Sequence, residues 1–132
     1  MMTKFELTQL FWLKQEIKTE GQRLEELKAA AEGGVSHMDG MPRAGGQQRG
    51  KENAVISYVN QIQLVETKIT RLTELYEKIA DEIEAVPDSY MRQILTLRYV
   101  KGLSWLQVAM RLGGGNTPDG VRKAHDRFLK KQ

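Results

Sequence analysis

The stretch that decides the fold is residues 94–112, ILTLRYVKGLSWLQVAMRL, which a glycine-rich turn connects to residues 117–123, TPDGVRK. Two short amphipathic segments joined by a tight turn, the second rich in cations, are typical of a helix-turn-helix, which places its second helix in the DNA major groove. The sequence therefore predicts an all-α domain that binds double-stranded DNA.

Local signals define the first helix of this motif and the turn after it. Ser104 and Gln107 form a capping box, which predicts a helix from Trp105 to about Leu112. The residues at 113–116, Gly-Gly-Gly-Asn, cannot continue a helix and supply the positive φ that a turn needs. Trp105 is expected to pack against a preceding helix over residues 89–101, which Asp88 or Ser89 would cap.

The second helix is predicted to begin with Thr117 as N-cap and Pro118 at the first helical position, and to end near Leu129. One face of it is apolar and is predicted to meet the core: Val121, Ala124, Phe128 and Leu129. The other faces are polar and are the surface that would touch DNA.

The polar residues of this segment suggest separate roles in DNA binding. Arg122 and Lys123 would donate to guanine or phosphate, while Asp119 would accept from a cytosine amine or buttress an arginine. Backbone N–H groups at the helix start would hold a phosphate and fix the register. The predicted DNA-binding residues are Arg111, Asn116, Thr117, Pro118, Asp119, Arg122, Lys123, Arg127 and Lys130, with Lys131 adding sequence-independent affinity.

Several groups of these residues form a known pattern: Leu97-Arg98-Tyr99, Gly102-Leu103-Ser104, Val108-Ala109, Leu112-Gly113 and Val121-Arg122. They resemble region four of bacterial sigma factors, which reads promoter DNA. The chain is more similar still to small phage and prophage transcriptional regulators of the ArpU-like family, in its Ser-Trp helix start and in the loop at 40–46, GMPRAGG.

The resemblance implies a helical N-terminal part, a DNA-reading C-terminal part and bacterial RNA polymerase as a partner. In the sigma pattern an acidic residue at the place of Asp119 and an arginine at that of Arg122 contact DNA. Pro118 and Gly120 stand where that pattern has arginines, and the turn before Val121 is longer.

The rest of the chain predicts a helical hairpin stem over residues 1–86, ahead of the helix-turn-helix domain at 87–132. Thr3 and Glu6 form a capping box for its first helix, in which Glu20 takes an apolar slot beside Gly21. The second helix holds a heptad at Val55, Tyr58, Ile62, Val65, Ile69, Leu72, Tyr76, Ile79, Ile83 and Val86. Such a seam requires a partner, which is either the first helix in cis or a second chain in a homodimer.

Residues 32–51 are rich in glycine and have almost no aliphatic bulk, which predicts a flexible loop between the two stem helices. Arg43, Arg49 and Lys51 give this loop cations that would touch a nucleic acid backbone or an acidic partner. A solvated linker is the simpler interpretation of the same composition.

The charge is unevenly distributed, since residues 87–132 carry +6 and residues 1–86 carry −3 of the net +3. A basic domain on an acidic stem suits phosphate-backbone binding by one end. The chain has no cysteine, no apolar run near the roughly 20 residues of a membrane span and no signal-peptide core, which together favour a bacterial cytoplasm.

Enzymatic chemistry has no support in the residues. His37 and His125 show no metal-ligand spacing, and His125 is expected to be half-exposed on the second helix of the motif. We therefore predict a phage-type transcriptional regulator without catalytic residues, cofactor or metal. Two other classes fit the same sequence, namely a small-terminase-like DNA-packaging component and a polymerase-docking adaptor with little DNA contact.

Overall fold

A computed structural model describes residues 2–36 and 46–132, with side chains over 2–32 and 52–132. All regular structure in these ranges is helical, as the sequence predicted. The helices are α1 (Lys4–Ser36), α2 (Gly46–Glu84), α3 (Ser89–Leu95), α4 (Trp105–Leu112) and α5 (Pro118–Lys131), and α3 continues into a π-helical segment at Thr96–Val100. None of the described helices is both long and apolar enough to cross a membrane.

The chain forms two compact units, and the division runs through both long helices. One unit contains residues 1–15 and 74–132, and the other contains residues 16–73. The first turns of α1 and the last turns of α2 therefore belong to the same unit as the predicted helix-turn-helix residues.

The core of the first unit is built from apolar residues of all five helices. Leu7 and Leu10 of α1 are fully buried and join a cluster that includes Ile83 of α2 and Ile94 of α3. The same cluster includes Val108 of α4 and Val121 of α5, both of them buried. Burial of large aliphatic side chains is the main favourable term in folding, so the α1 and α2 segments help to stabilise the unit that carries α5.

The helix predicted over residues 89–101 has two parts. It starts as expected, since the Asp88 carboxylate accepts the backbone N–H of Tyr90 at 3.0 Å. After Leu95 the turns widen, and Lys101 N–H donates to Thr96 C=O at 3.0 Å in the π pattern. The helix stops at Gly102, whose φ of +71° favours glycine and whose missing side chain leaves room for the Phe11 ring.

In the second unit, α2 packs against α1 of the same chain. Lys68 Nζ lies 3.0 Å from a carboxylate oxygen of Glu20 and 3.4 Å from one of Glu16. These ion pairs raise the pKa of Lys68. Glu20 is thus buried at a position where the helix pattern has an apolar residue, and there it pairs with Lys68. The helix α1 continues through Gly21 without interruption.

The heptad of α2 is confirmed as the buried side of that helix. All ten heptad residues are buried or half-buried, the last of them, Val86, just past the end of α2. The exposed large apolar residues of α2 lie outside the heptad: Ile56, Val59, Leu64 and Leu75. Because Glu20 and Lys68 belong to one chain, α1 supplies a partner helix in cis. Homodimerisation through the heptad stays a prediction.

The predicted loop at 32–51 is wrong at both of its ends. α1 continues to Ser36, and α2 already begins at Gly46, so only a shorter connection separates them. Glycine weakens a helix without forbidding it, and helices this long can extend past a few unfavourable residues. Arg43 and His37 lie outside the described residues, and the structure describes only the backbone at Arg49 and Lys51.

The place of Leu10 in the core predicts that α1 stabilises the unit containing α5. Leu10→Ala should lower the free energy of unfolding by about 2–5 kcal/mol, because it leaves a cavity in a fully buried site. Leu106→Ala is the matched control, since Leu106 is 58% exposed in the same unit. Urea denaturation followed by circular dichroism measures both, and an equally small loss for the two variants would contradict the assignment.

Candidate nucleic-acid interface

The helix-turn-helix motif starts with the capping box that the sequence predicted. Ser104 Oγ accepts the N–H of Gln107 at 3.2 Å, and the Gln107 side chain accepts the N–H of Ser104 at 2.9 Å. Both bonds satisfy N–H groups that the first turn of a helix leaves without partners. The start of α4 at Trp105 is therefore fixed by local chemistry.

The turn between α4 and α5 has the glycine conformations expected from its sequence. Gly113, Gly114 and Gly115 all have positive φ, at 65°, 61° and 82°. Residues with side chains rarely adopt such angles, so three consecutive ones require glycine. The turn thereby reverses the chain within a few residues and directs it into α5.

Asn116 holds this turn in place instead of pointing to solvent. Its Oδ1 accepts the hydroxyl of Tyr90 at 2.8 Å, and its Nδ2 donates to the C=O of Gly113 at 2.6 Å. Both ends of the amide are therefore engaged inside the protein. We assign Asn116 to the turn, and its expected contact with DNA stays untested.

The start of α5 has the predicted N-cap. Thr117 Oγ1 accepts the N–H of Gly120 at 3.0 Å, and Pro118 occupies the first helical position. A Cβ atom at Gly120 would lie 2.9 Å from the Thr117 hydroxyl oxygen, so a side chain there would displace the cap. The cap at Thr117 therefore favours glycine at position 120.

The inner face of α5 contains the apolar residues that the sequence predicted and one that it did not. Val121 is buried, and Ala124, Phe128 and Leu129 are half-buried against the core. His125, which was expected to be half-exposed, is instead fully buried. Its position one turn after Val121 places it on the same face of the helix.

His125 makes polar contacts on both sides of its ring. Nε2 lies 2.5 Å from the hydroxyl of Tyr99, and Nδ1 lies 2.9 Å from Oδ1 of Asp126. Burial lowers the pKa of His125 and raises that of Tyr99 to about 12, so both groups are neutral at pH 7. In the neutral ring that satisfies both contacts, Nδ1–H donates to Asp126 and Nε2 accepts from Tyr99.

Trp105 packs as predicted beside the end of the helix that precedes it. The Arg98 guanidinium lies 4.5 Å from the centre of the indole ring, and the ring meets His125 edge-on at 4.8 Å between centroids. Arg98 also donates to the C=O of Leu103 at 3.0 Å. The indole therefore belongs to the packing of the domain and is not a platform for stacking bases.

The outer face of α5 carries the ionic side chains of the predicted interface. Arg122 Nη2 lies 2.6 Å from Oδ1 of Asp119, and Lys123 Nζ lies 3.2 Å from its Oδ2. These two cations lower the pKa of Asp119, and the Asp119 carboxylate raises the pKa of Arg122. Of the two roles open to Asp119, the structure shows the buttressing of an arginine.

The remaining cations of α5 lie nearer its end. Three exposed cations, Arg127, Lys130 and Lys131, form no ion pair with the side chains described over residues 2–32 and 52–132. Arg111 lies at the end of α4, where it lines a groove with Glu84, Arg92, Gln93, Thr96 and Leu97. Its predicted phosphate contact would therefore come from α4 and not from the α5 face.

The sequence did not identify Tyr90 and Tyr99 as members of the site, although each is joined to it by a hydrogen bond over 26 residues of chain. The residues next to each tyrosine in the sequence give no sign of such a long-range hydrogen bond. In the described residues no group of three or more His, Cys, Asp or Glu side chains is arranged to hold a metal ion. The candidate interface is a helix surface whose side chains are positioned by hydrogen bonds and ion pairs.

Comparisons of the chain with protein-family models, with curated proteins and with solved structures returned no match. The function is therefore inferred from the residues and geometry of this surface.

The buried imidazole predicts a specific dependence of stability on pH. The unfolded chain binds a proton at His125 near pH 6.5, whereas the folded chain resists it, so the unfolding free energy should fall as pH drops below about 6.5. One proton gives a slope of at most about 1.4 kcal/mol per pH unit. Urea denaturation between pH 7.5 and 5.5 measures this slope, which His125→Asn should reduce; an unchanged slope would place the proton uptake elsewhere.

Proposed function

We propose that this chain is a DNA-binding transcriptional regulator of the phage type, which reads promoter DNA in the bacterial cytoplasm by placing α5 in the major groove. Bacterial RNA polymerase is the protein partner that the resemblance to sigma region four suggests. The proposal includes no catalytic step and no cofactor.

The observation that carries the proposal is the two-sided character of α5. Its inner face is anchored in the core by Val121 and His125, and its outer faces hold five Lys or Arg residues against two Asp. A helix presented in this way after a tight turn suits insertion into the groove, where cations meet phosphates and base edges. An ordinary solvated helix would not need three positive-φ glycines to direct it.

The ion pairs of α5 suggest that its first turns contact bases and that its last turns contact phosphates. Arg122 and Lys123 are held by Asp119 in the first turns, where helix-turn-helix proteins contact base edges. A guanidinium held in a fixed direction suits bidentate donation to guanine. Arg127, Lys130 and Lys131 follow at the end of the helix, where sequence-independent phosphate contacts would supply affinity.

Selection of duplex DNA from a random pool with the purified protein, combined with light scattering, tests the proposed function. One enriched motif bound by a monomer or dimer is the expected result. A large ring-shaped oligomer without an enriched motif would contradict the proposal and favour a role in DNA packaging. Absence of any DNA binding at low salt would contradict the proposal directly, because the attraction between the cations of the protein and the DNA phosphates is strongest at low salt.

These separate base and phosphate contacts predict different effects for two cations of the same helix. Arg122→Ala should cost about 1–3 kcal/mol on the selected motif and much less on random duplex, because it removes a base contact. Lys130→Ala should weaken both duplexes about equally and reduce the salt dependence by about one phosphate contact. Fluorescence anisotropy at several salt concentrations measures the two variants, and equal losses on both duplexes for Arg122→Ala would refute its role in reading sequence.

A further inference from the structure

We propose that His125 is a positioning residue for sequence recognition, which holds Asp126 from within the core so that Asp126 and Asp119 together orient the guanidinium of Arg122. This inference rests on the proposed function, and it names residues that set the specificity of the same surface.

The connection consists of the contacts that lead from Tyr99 through His125 and Asp126 to Arg122. Its buried end is held on several sides. The His125 side chain is fully buried, and Tyr99, which contacts its Nε2, is 6% exposed. Tyr99 lies in the π-helical segment, and Trp105 meets the imidazole edge-on. Burying a polar ring costs free energy unless its hydrogen bonds are made, and a leucine would fill this helix face without that cost. The imidazole is therefore expected to have a role that an apolar side chain cannot fill, namely its hydrogen bond to Asp126.

The exposed end of the connection reaches the predicted base-reading arginine. One oxygen of Asp126 lies 2.9 Å from His125 Nδ1, and the other lies 3.6 Å from Arg122 Nη1. The hydrogen bond from His125 lowers the pKa of Asp126, which therefore stays ionised as an ion-pair partner. Arg122 Nη2 is bonded at the same time to Asp119 at 2.6 Å.

The two carboxylates thus hold the guanidinium of Arg122 from both directions along the helix. Asp119 lies one turn before Arg122 and Asp126 one turn after it, a spacing that lets both side chains reach it. The Arg122 side chain remains 45% exposed. Its other N–H donors can therefore meet a base while the carboxylates fix its direction.

Fixing the direction of Arg122 should improve discrimination between sequences more than it improves general affinity. A free arginine loses conformational freedom when it binds, and this loss weakens binding. An arginine already oriented avoids part of this cost, but only where a base offers acceptors in the matching geometry. Loss of the connection should therefore lower the ratio of specific to random binding by about three- to tenfold.

Two substitutions of His125 separate positioning from packing. The Asn amide nitrogen stands close to where Nδ1 was and can still donate to Asp126, so His125→Asn should keep the specificity ratio. The Gln amide lies further along the side chain, near the position of Nε2, so His125→Gln should retain the Tyr99 contact, release Asp126 and lower the ratio. Asp126→Asn breaks the connection at an exposed residue and tests it without disturbing the core.

The readouts are the affinities for the selected motif and for random duplex, and the NMR relaxation of the Arg122 side-chain Nε in the free protein. His125→Gln and Asp126→Asn should increase the motion of that group, whereas His125→Asn should leave it unchanged. Circular dichroism identifies any variant that does not fold, and Asp126→Asn then decides the outcome.

Two results would overturn the inference. The first is a folded His125→Gln or Asp126→Asn variant with native Arg122 motion and a native specificity ratio. The second is a His125→Asn variant that loses as much as His125→Gln, which would reduce the role of the ring to packing. A wild-type protein that selects no DNA motif would refute the proposed function instead, and the relaxation measurement would still decide whether His125 orders Arg122.

Discussion

The burial of one face of α5 is the constraint on which the arrangement of the domain depends. Val121 is 1% exposed and His125 is fully buried, and the turn glycines and the Thr117 cap lead the chain into α5 at that position. With the inner face fixed, the rotation of α5 is fixed, and the ionic residues must point away from the core. The predicted interface is thus a consequence of how the other face is packed.

Features encoded by neighbouring residues could be predicted from the sequence. The capping box at Ser104, the cap at Thr117 and the positive φ of the turn glycines each depend on a few consecutive residues, and all three are confirmed. The heptad of α2 is equally local, because its period is visible in the sequence. Fold class follows from such signals because most of the described helices agree with their local sequence.

Features that depend on distant residues could not be predicted in the same way. The burial of His125 requires Tyr99, and the role of Asn116 requires Tyr90, each 26 residues away. A histidine on an amphipathic helix looks the same in the sequence whether it meets water or a tyrosine. The π-helical segment that contains Tyr99 likewise has no marker among its own residues.

The ion pair between the buried Glu20 and the half-exposed Lys68 affects the register in which α1 and α2 pack together. If one helix slid along the other by a single turn, Glu20 would face Leu64 or Leu72 instead of Lys68. The buried carboxylate would then lose its nearest cation and keep only Arg23 of its own helix, 3.9 Å away. An apolar residue at position 20 would tolerate such slippage, since one aliphatic neighbour is much like another. The charged pair therefore selects one register among several that hydrophobic contacts alone would leave nearly equal.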